Sequence, residues 1–77
     1  MTDEFLKPLS KVEAGTTVKL VSVDAGRGLK QRLAAMGLLP NVGITVIRNW
    51  HCGRLIVNVK NTKVVLGRGM AHKIMVR

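Results

Sequence analysis

The sequence predicts a mostly β domain: five short strands forming a small, partly open barrel, with one short helix between the first and second strands. Three observations carry this expectation. Apolar and polar residues alternate from Leu55 to Lys60 with the period of a half-buried strand, and other β-branched runs repeat the pattern less cleanly. Glycine, proline and asparagine punctuate these runs at short intervals. Only one stretch has a helical period, Leu29, Leu33 and Met36 at i, i+4 and i+7.

The elements follow in order. Residues 1–8 read as a loose tail, and residues 9–77 as the domain. Ser10 and Glu13 have the spacing of a capping box for one short turn, which Gly15 ends. Thr16 to Val23 is rich in β-branched residues and reads as the first strand. Its apolar face switches partway, from Val18 and Leu20 to Val21 and Val23, as a sharply bent barrel strand requires. After a loop over Asp24 to Gly28 comes the helix, which Gly37 ends in left-handed conformation and Pro40 keeps from resuming. A helix this short is unstable alone in water, so it must lie against the sheet. Ile44 to Trp50, Leu55 to Lys60, Lys63 to Leu66 and Ile74 to Val76 supply the remaining strands. Lys60-Asn61-Thr62 turns the chain between the middle pair, and Gly67-Arg68-Gly69 begins a further turn. Leu20, Leu33, Val46, Val57, Val59, Leu66 and Ile74 are the expected core.

A chain of 77 residues is one domain by length. A domain of this size buries only about 60% of the surface its unfolded chain exposes. With 47% apolar residues it has enough for one compact core, but little to spare for the walls of a deep catalytic pocket. Cys52 is the one cysteine, so no disulfide forms within the chain. Met1 to Leu9 contains Asp3 and Glu4 and lacks the apolar segment of a signal peptide. No apolar run approaches the ~20 residues that span a bilayer. The expectation is a soluble, cytoplasmic protein in a reducing compartment.

The net charge of +9 is unevenly distributed. The four acids, Asp3, Glu4, Glu13 and Asp24, all precede Ala25, and every residue from there to Arg77 is basic or uncharged. Such a surface seeks anions: nucleic acid, an acidic protein face, or an anionic membrane leaflet.

The candidate chemistry is sparse. Gly26-Arg27-Gly28 lies where a dinucleotide fingerprint would sit, but Gln31 replaces the third glycine and no acid follows Asp24. It reads as a strand-to-helix loop. Neither Ser10 nor Ser22 has a histidine partner in any recognisable pattern, and His51 next to Cys52 is a poor nucleophile–base geometry. The protein is therefore expected to have no catalytic and no cofactor-binding residues. His51, Cys52 and His72 are metal-ligand types but lack paired ligand spacing, so no metal site is assigned to them. Nucleic-acid binding remains the alternative: the charge suits it, yet Trp50 is the only aromatic residue outside the tail. Any such binding is expected to be non-specific.

The segment Met36-Gly37-Leu38-Leu39-Pro40 carries a family resemblance. From Leu9 to Val76 the chain resembles the FeoA family, small cytosolic accessory proteins of bacterial ferrous iron transport. Leu9-Ser10 and Gly15 match the family's opening turn. Leu33, Met36-Gly37-Leu38 and Pro40 match its helix end, and Asn61-Thr62, Val64, Leu66, Ala71, Lys73 and Ile74 match its closing segment. Two positions depart from the pattern. Asn41 stands where members usually have glycine, and Trp50-His51-Cys52-Gly53-Arg54 replaces a Pro-Leu-Gly type turn. The resemblance implies an SH3-like barrel and a partner, the membrane iron transporter FeoB, whose cytosolic part binds GTP. It also implies a location at the inner face of the membrane. Similar barrels close the chains of iron-dependent repressors, where they follow a helix-turn-helix domain absent from this sequence.

An adaptor needs an exposed apolar edge and steering charge. Leu38 and Leu39 cannot both point inward beside Pro40, and Arg27, Lys30 and Arg32 surround the helix. Arg27, Lys30, Arg32, Met36, Leu38, Leu39 and Pro40 are therefore the expected docking residues.

Overall fold

The computed structural model describes residues 6–50 and 53–77. Among them, six strands form one antiparallel sheet in the order β1-β6-β2-β3-β4-β5. They are β1 (Lys7–Pro8), β2 (Thr17–Val23), β3 (Gly43–Asn49), β4 (Leu55–Val59), β5 (Thr62–Leu66) and β6 (Ile74–Val76). The helices are α1 (Arg27–Ala35), between β2 and β3, and α2 (Arg68–His72), between β5 and β6, with a 3₁₀ turn at Leu9–Lys11. The sheet curls around its core but does not close, which leaves β1 and β5 as edges.

The five strands expected from the sequence are all present. The sixth, Lys7–Pro8, pairs with Val76 and Met75 and falls within the segment read as a tail. A two-residue strand containing proline has no alternation to detect, and proline is tolerated on a sheet edge. The expected turn at Gly67-Arg68-Gly69 is the start of α2, whose glycines at the N-cap and the second helical position disguise it as a loop.

β2 is where the sheet bends. Residues 17–19 pair with β3, and residues 20–23 pair with β6 through a register shift between Leu20 and Ser22. The bulge at Val21 is the physical form of the face switch read in the sequence. One strand thus belongs to both halves of the curled sheet. All seven expected core residues are buried, joined by Leu9, Val12, Ile44, Leu55, Ala71 and Val76 among others. Val57 and Val59 point inward while Asn58 is half exposed, so the β4 register is as read.

The expected Ser10–Glu13 capping box does not form. Pro8 occupies the N-cap of the 3₁₀ turn, and no side chain caps it. The Ser10 hydroxyl instead meets His72 Nδ1 at 3.0 Å, joining the turn to α2.

A candidate docking surface at the end of α1

α1 buries only Leu33 fully, with Leu29 partly covered. It begins at Gly26, which provides no side-chain cap. Its end is more strongly specified. The Gly37 N–H bonds Ala34 O at 2.9 Å and the Leu38 N–H bonds Leu33 O at 2.9 Å, the paired bonds of a Schellman motif. Gly37 supplies the required left-handed residue at φ +93°. This motif brings the residue after the glycine back over the last turn of the helix, so Leu38 meets Leu33 in the core and is 2% exposed. Of the expected docking residues, Leu38 is thus the most buried: it anchors the helix end and offers little surface of its own.

Leu39 takes the opposite course. The Val42 N–H bonds Leu39 O at 3.1 Å, closing a turn with Pro40 at its second position and Asn41 at φ 73° at its third, as a type II turn demands. Asn41 thus does the conformational work usually given to glycine. The Asn41 N–H bonds Leu20 O at 2.7 Å and ties the turn to β2. Leu39 is left 43% exposed on the outside.

Between α1, this turn and β2 lies a groove of about 300 Å³. Val21 and Val23 line one wall, Ala34 and Leu38 the other, with Leu39 and Pro40 at one end and Lys30 as its charged residue. The structure thus assembles Lys30, Leu38, Leu39 and Pro40 in one place. Arg27 and Arg32 are exposed on the same helix but line no part of it. Met36 follows the last helical residue as the C-cap, where it is 38% exposed rather than core-facing. It lines a separate depression of about 590 Å³ between the end of α1 and β5. The contribution of β2 to the first groove was not expected from the sequence, where the face switch at Val21 signals only the bend.

Two polar features have no counterpart in the sequence reading. The Arg68 guanidinium donates to Ser10 O at 3.1 Å, to Asn49 Oδ1 at 2.6 Å and to Trp50 O. The Asn49 amide donates to Ser10 O at 3.0 Å and Val12 O at 2.7 Å. This network ties α2 and the end of β3 to the 3₁₀ turn. The second feature is the Ser10–His72 pair, which no sequence pattern connects and the fold brings together. Ser10 is only 4% exposed, so its hydroxyl is closed to a substrate and serves packing. Of the metal candidates, His72 is held by this hydrogen bond, while His51 and Cys52 lie outside the described residues. Among the described residues no three His, Cys, Asp or Glu side chains gather as a metal site would require. No helix among them is long and apolar enough to cross a membrane.

Comparison with known proteins agrees with this frame. A family model described as the FeoA domain matches residues 7–77. The "Putative Fe(2+) transport protein A" of Methanocaldococcus jannaschii is 41% identical over 69 residues, covering 90% of this chain and 83% of the relative. A crystal structure of an "Iron Uptake Regulatory Protein (FeoA)" superposes with a TM-score of 0.89 at 32% identity, covering 94% of this chain and 96% of the other. A manganese-dependent transcriptional repressor shares the fold over 92% of this chain and 40% of its own, with a TM-score of 0.83 at 22% identity. The Schellman helix end, the bent β2 and the SH3-like sheet thus sit on a chain matched almost end to end, and that chain belongs to the FeoA family, whose members take part in ferrous iron transport.

Proposed function

We propose that this protein is a non-catalytic cytosolic accessory of ferrous iron transport. It docks on the cytosolic, GTP-binding part of a FeoB-type membrane transporter and modulates it. The observation that carries this reading is the groove beside α1. It is apolar, open and built on the family's most specific motif, with Leu39 and Pro40 at one end and Lys30 in its lining. An apolar side chain of the partner would fill it, while Arg27, Lys30 and Arg32 draw an acidic face toward it and keep the protein near an anionic leaflet.

Combining Lys30→Glu, Arg32→Glu and Leu39→Asp tests this, because all three side chains are exposed. The variant should melt as cooperatively as the parent, since surface changes away from special features cost little. Its affinity for the full-length transporter in lipid nanodiscs should fall at least about tenfold, equivalent to about 1.4 kcal/mol. Normal folding with undiminished binding would place the docking surface elsewhere.

The basic stretch after Asp24 keeps non-specific nucleic-acid binding as a second reading. Such binding rests on counterion release and should collapse between low and physiological salt. Tight, sequence-dependent binding at physiological salt would displace the adaptor reading.

A further inference from the structure

We propose that the free edge of β5 is a strand-addition site for an extended, acidic segment of a partner protein. This surface is separate from the groove beside β2, and its argument is independent of the docking role proposed there.

The edge is open by construction. β5 is the last strand in the sheet order, and its only strand partner among the described residues is β4. Lys60 and Asn61, both at positive φ, form a two-residue turn that closes on the pair Val59 and Thr62. In such a hairpin the closing pair exchanges both backbone bonds, and bonded pairs then alternate along the ladder. Thr62, Val64 and Leu66 therefore direct their N–H and C=O groups toward β4. Lys63 and Val65 direct theirs away, into the depression shared with the end of α1. Two donors and two acceptors without a partner among the described residues, spaced along one strand, are the template that strand addition uses.

The ground beside this edge suits a second strand. Val59, Val64 and Met36 provide apolar lining, and Gly37 leaves its part of the wall free of a side chain. On the outer face Val65 is 56% exposed and pairs across the ladder with half-buried Ile56.

Charge decides the occupant. Lys60 and Lys63 flank the depression, and the whole chain carries +9 with its acids confined to the first 24 residues. A second copy laid on this edge brings a like-charged lysine cluster against the first, the usual device by which an edge strand resists self-pairing. The same lysines attract a strand bearing carboxylates. The pleat then sets the pattern: small β-branched residues toward Val64 and Met36, alternating with Glu or Asp beside Lys63 and Lys60.

The probe is a blocked peptide alternating valine and glutamate, titrated into the ¹⁵N-labelled protein with amide hydrogen exchange as the readout. Near saturation the Lys63 and Val65 amides should exchange at least about tenfold more slowly, while those of Thr62, Val64 and Leu66, already bonded, change little. N-methylating the peptide along its bonding edge should weaken binding by about tenfold or more, and so should replacing its glutamates with lysine. Val65→Pro removes one outward N–H without touching the β4 ladder and should also abolish protection at Lys63. Should that variant unfold, the methylated peptide still decides the matter. Unchanged exchange at Lys63 and Val65, or equal affinity for the methylated peptide, overturns the proposal. Protection of those two amides that grows with protein concentration in the absence of peptide also overturns it, and makes a second copy the occupant.

Discussion

Asn49 and Arg68 hold together three segments that the chain brings close only on folding. The Asn49 amide satisfies the carbonyls of Ser10 and Val12, and its own oxygen accepts from Arg68. Asn49→Ala takes the side-chain donor from the partly buried Val12 carbonyl and one acceptor from the Arg68 guanidinium, while Ser10 O keeps its bond from Arg68 and Arg68 keeps its bond to Trp50 O. We expect a loss of about 1–2 kcal/mol, because the one carbonyl left without its donor bears its desolvation penalty. For a domain of this size that lowers the melting temperature by about 4–16 °C, at about 4–8 °C per kcal/mol. Circular dichroism checks it, and a melt within a few degrees of the parent would show the network to be decorative. Nothing local announced this cluster. A polar residue ending a β-branched run reads as the end of a strand, and an arginine between two glycines reads as a loop. Their partnership appears only once β3, α2 and the first turn have met.

At the level of elements, the sequence was most informative where backbone conformation constrains residue type. Gly37 at positive φ, Asn41 in the type II turn and Lys60-Asn61 in the hairpin all sit where their residue types signalled turns. Elements lacking such chemistry were misread or missed: the two-residue β1, and α2 with its glycines. Leu38 and Leu39 show the same divide inside the candidate site. Adjacency told that both could not be buried, but only the Schellman hydrogen bonds decide which one turns inward. Two predictions belong here. Gly37→Ala forces a Cβ into a left-handed position and should cost about 1–2 kcal/mol, read as a lower midpoint in urea with an unchanged slope. Conversely, Lys60→Asn combined with Asn61→Gly installs the preferred type I′ pair and should gain up to about 1 kcal/mol. If the second pair destabilises, the turn is not the two-residue type inferred from its positive φ values.

For the molecule as a whole, charge is the dominant departure from an average domain. A net +9 on 77 residues opposes its own compaction, and salt screens that repulsion. The melting temperature should rise from low to physiological ionic strength, with chloride salts of sodium and potassium acting alike. A flat or falling profile would show that local charge pairing outweighs the net repulsion. The same charge accounts for how the two proposed surfaces differ in character. Both flank the end of α1, yet the groove beside β2 is apolar with one lysine in its lining, whereas the β5 edge presents backbone groups between lysines.

The bend in β2 also bears on when these surfaces come into being. Its second half is held by β6, which follows every other strand in the chain, and β1 likewise pairs with β6. A nascent chain that has extruded β2 through β5 therefore has a hairpin and meander but no strand partner for Ser22 and Val23. Pairings of such long sequence separation form late and slowly. The wall of the groove beside α1 includes those same β2 residues, so translation has to reach the closing strand before the docking surface proposed above is complete. On the proposed docking role, half-made chains, however abundant, would leave the partner's site free.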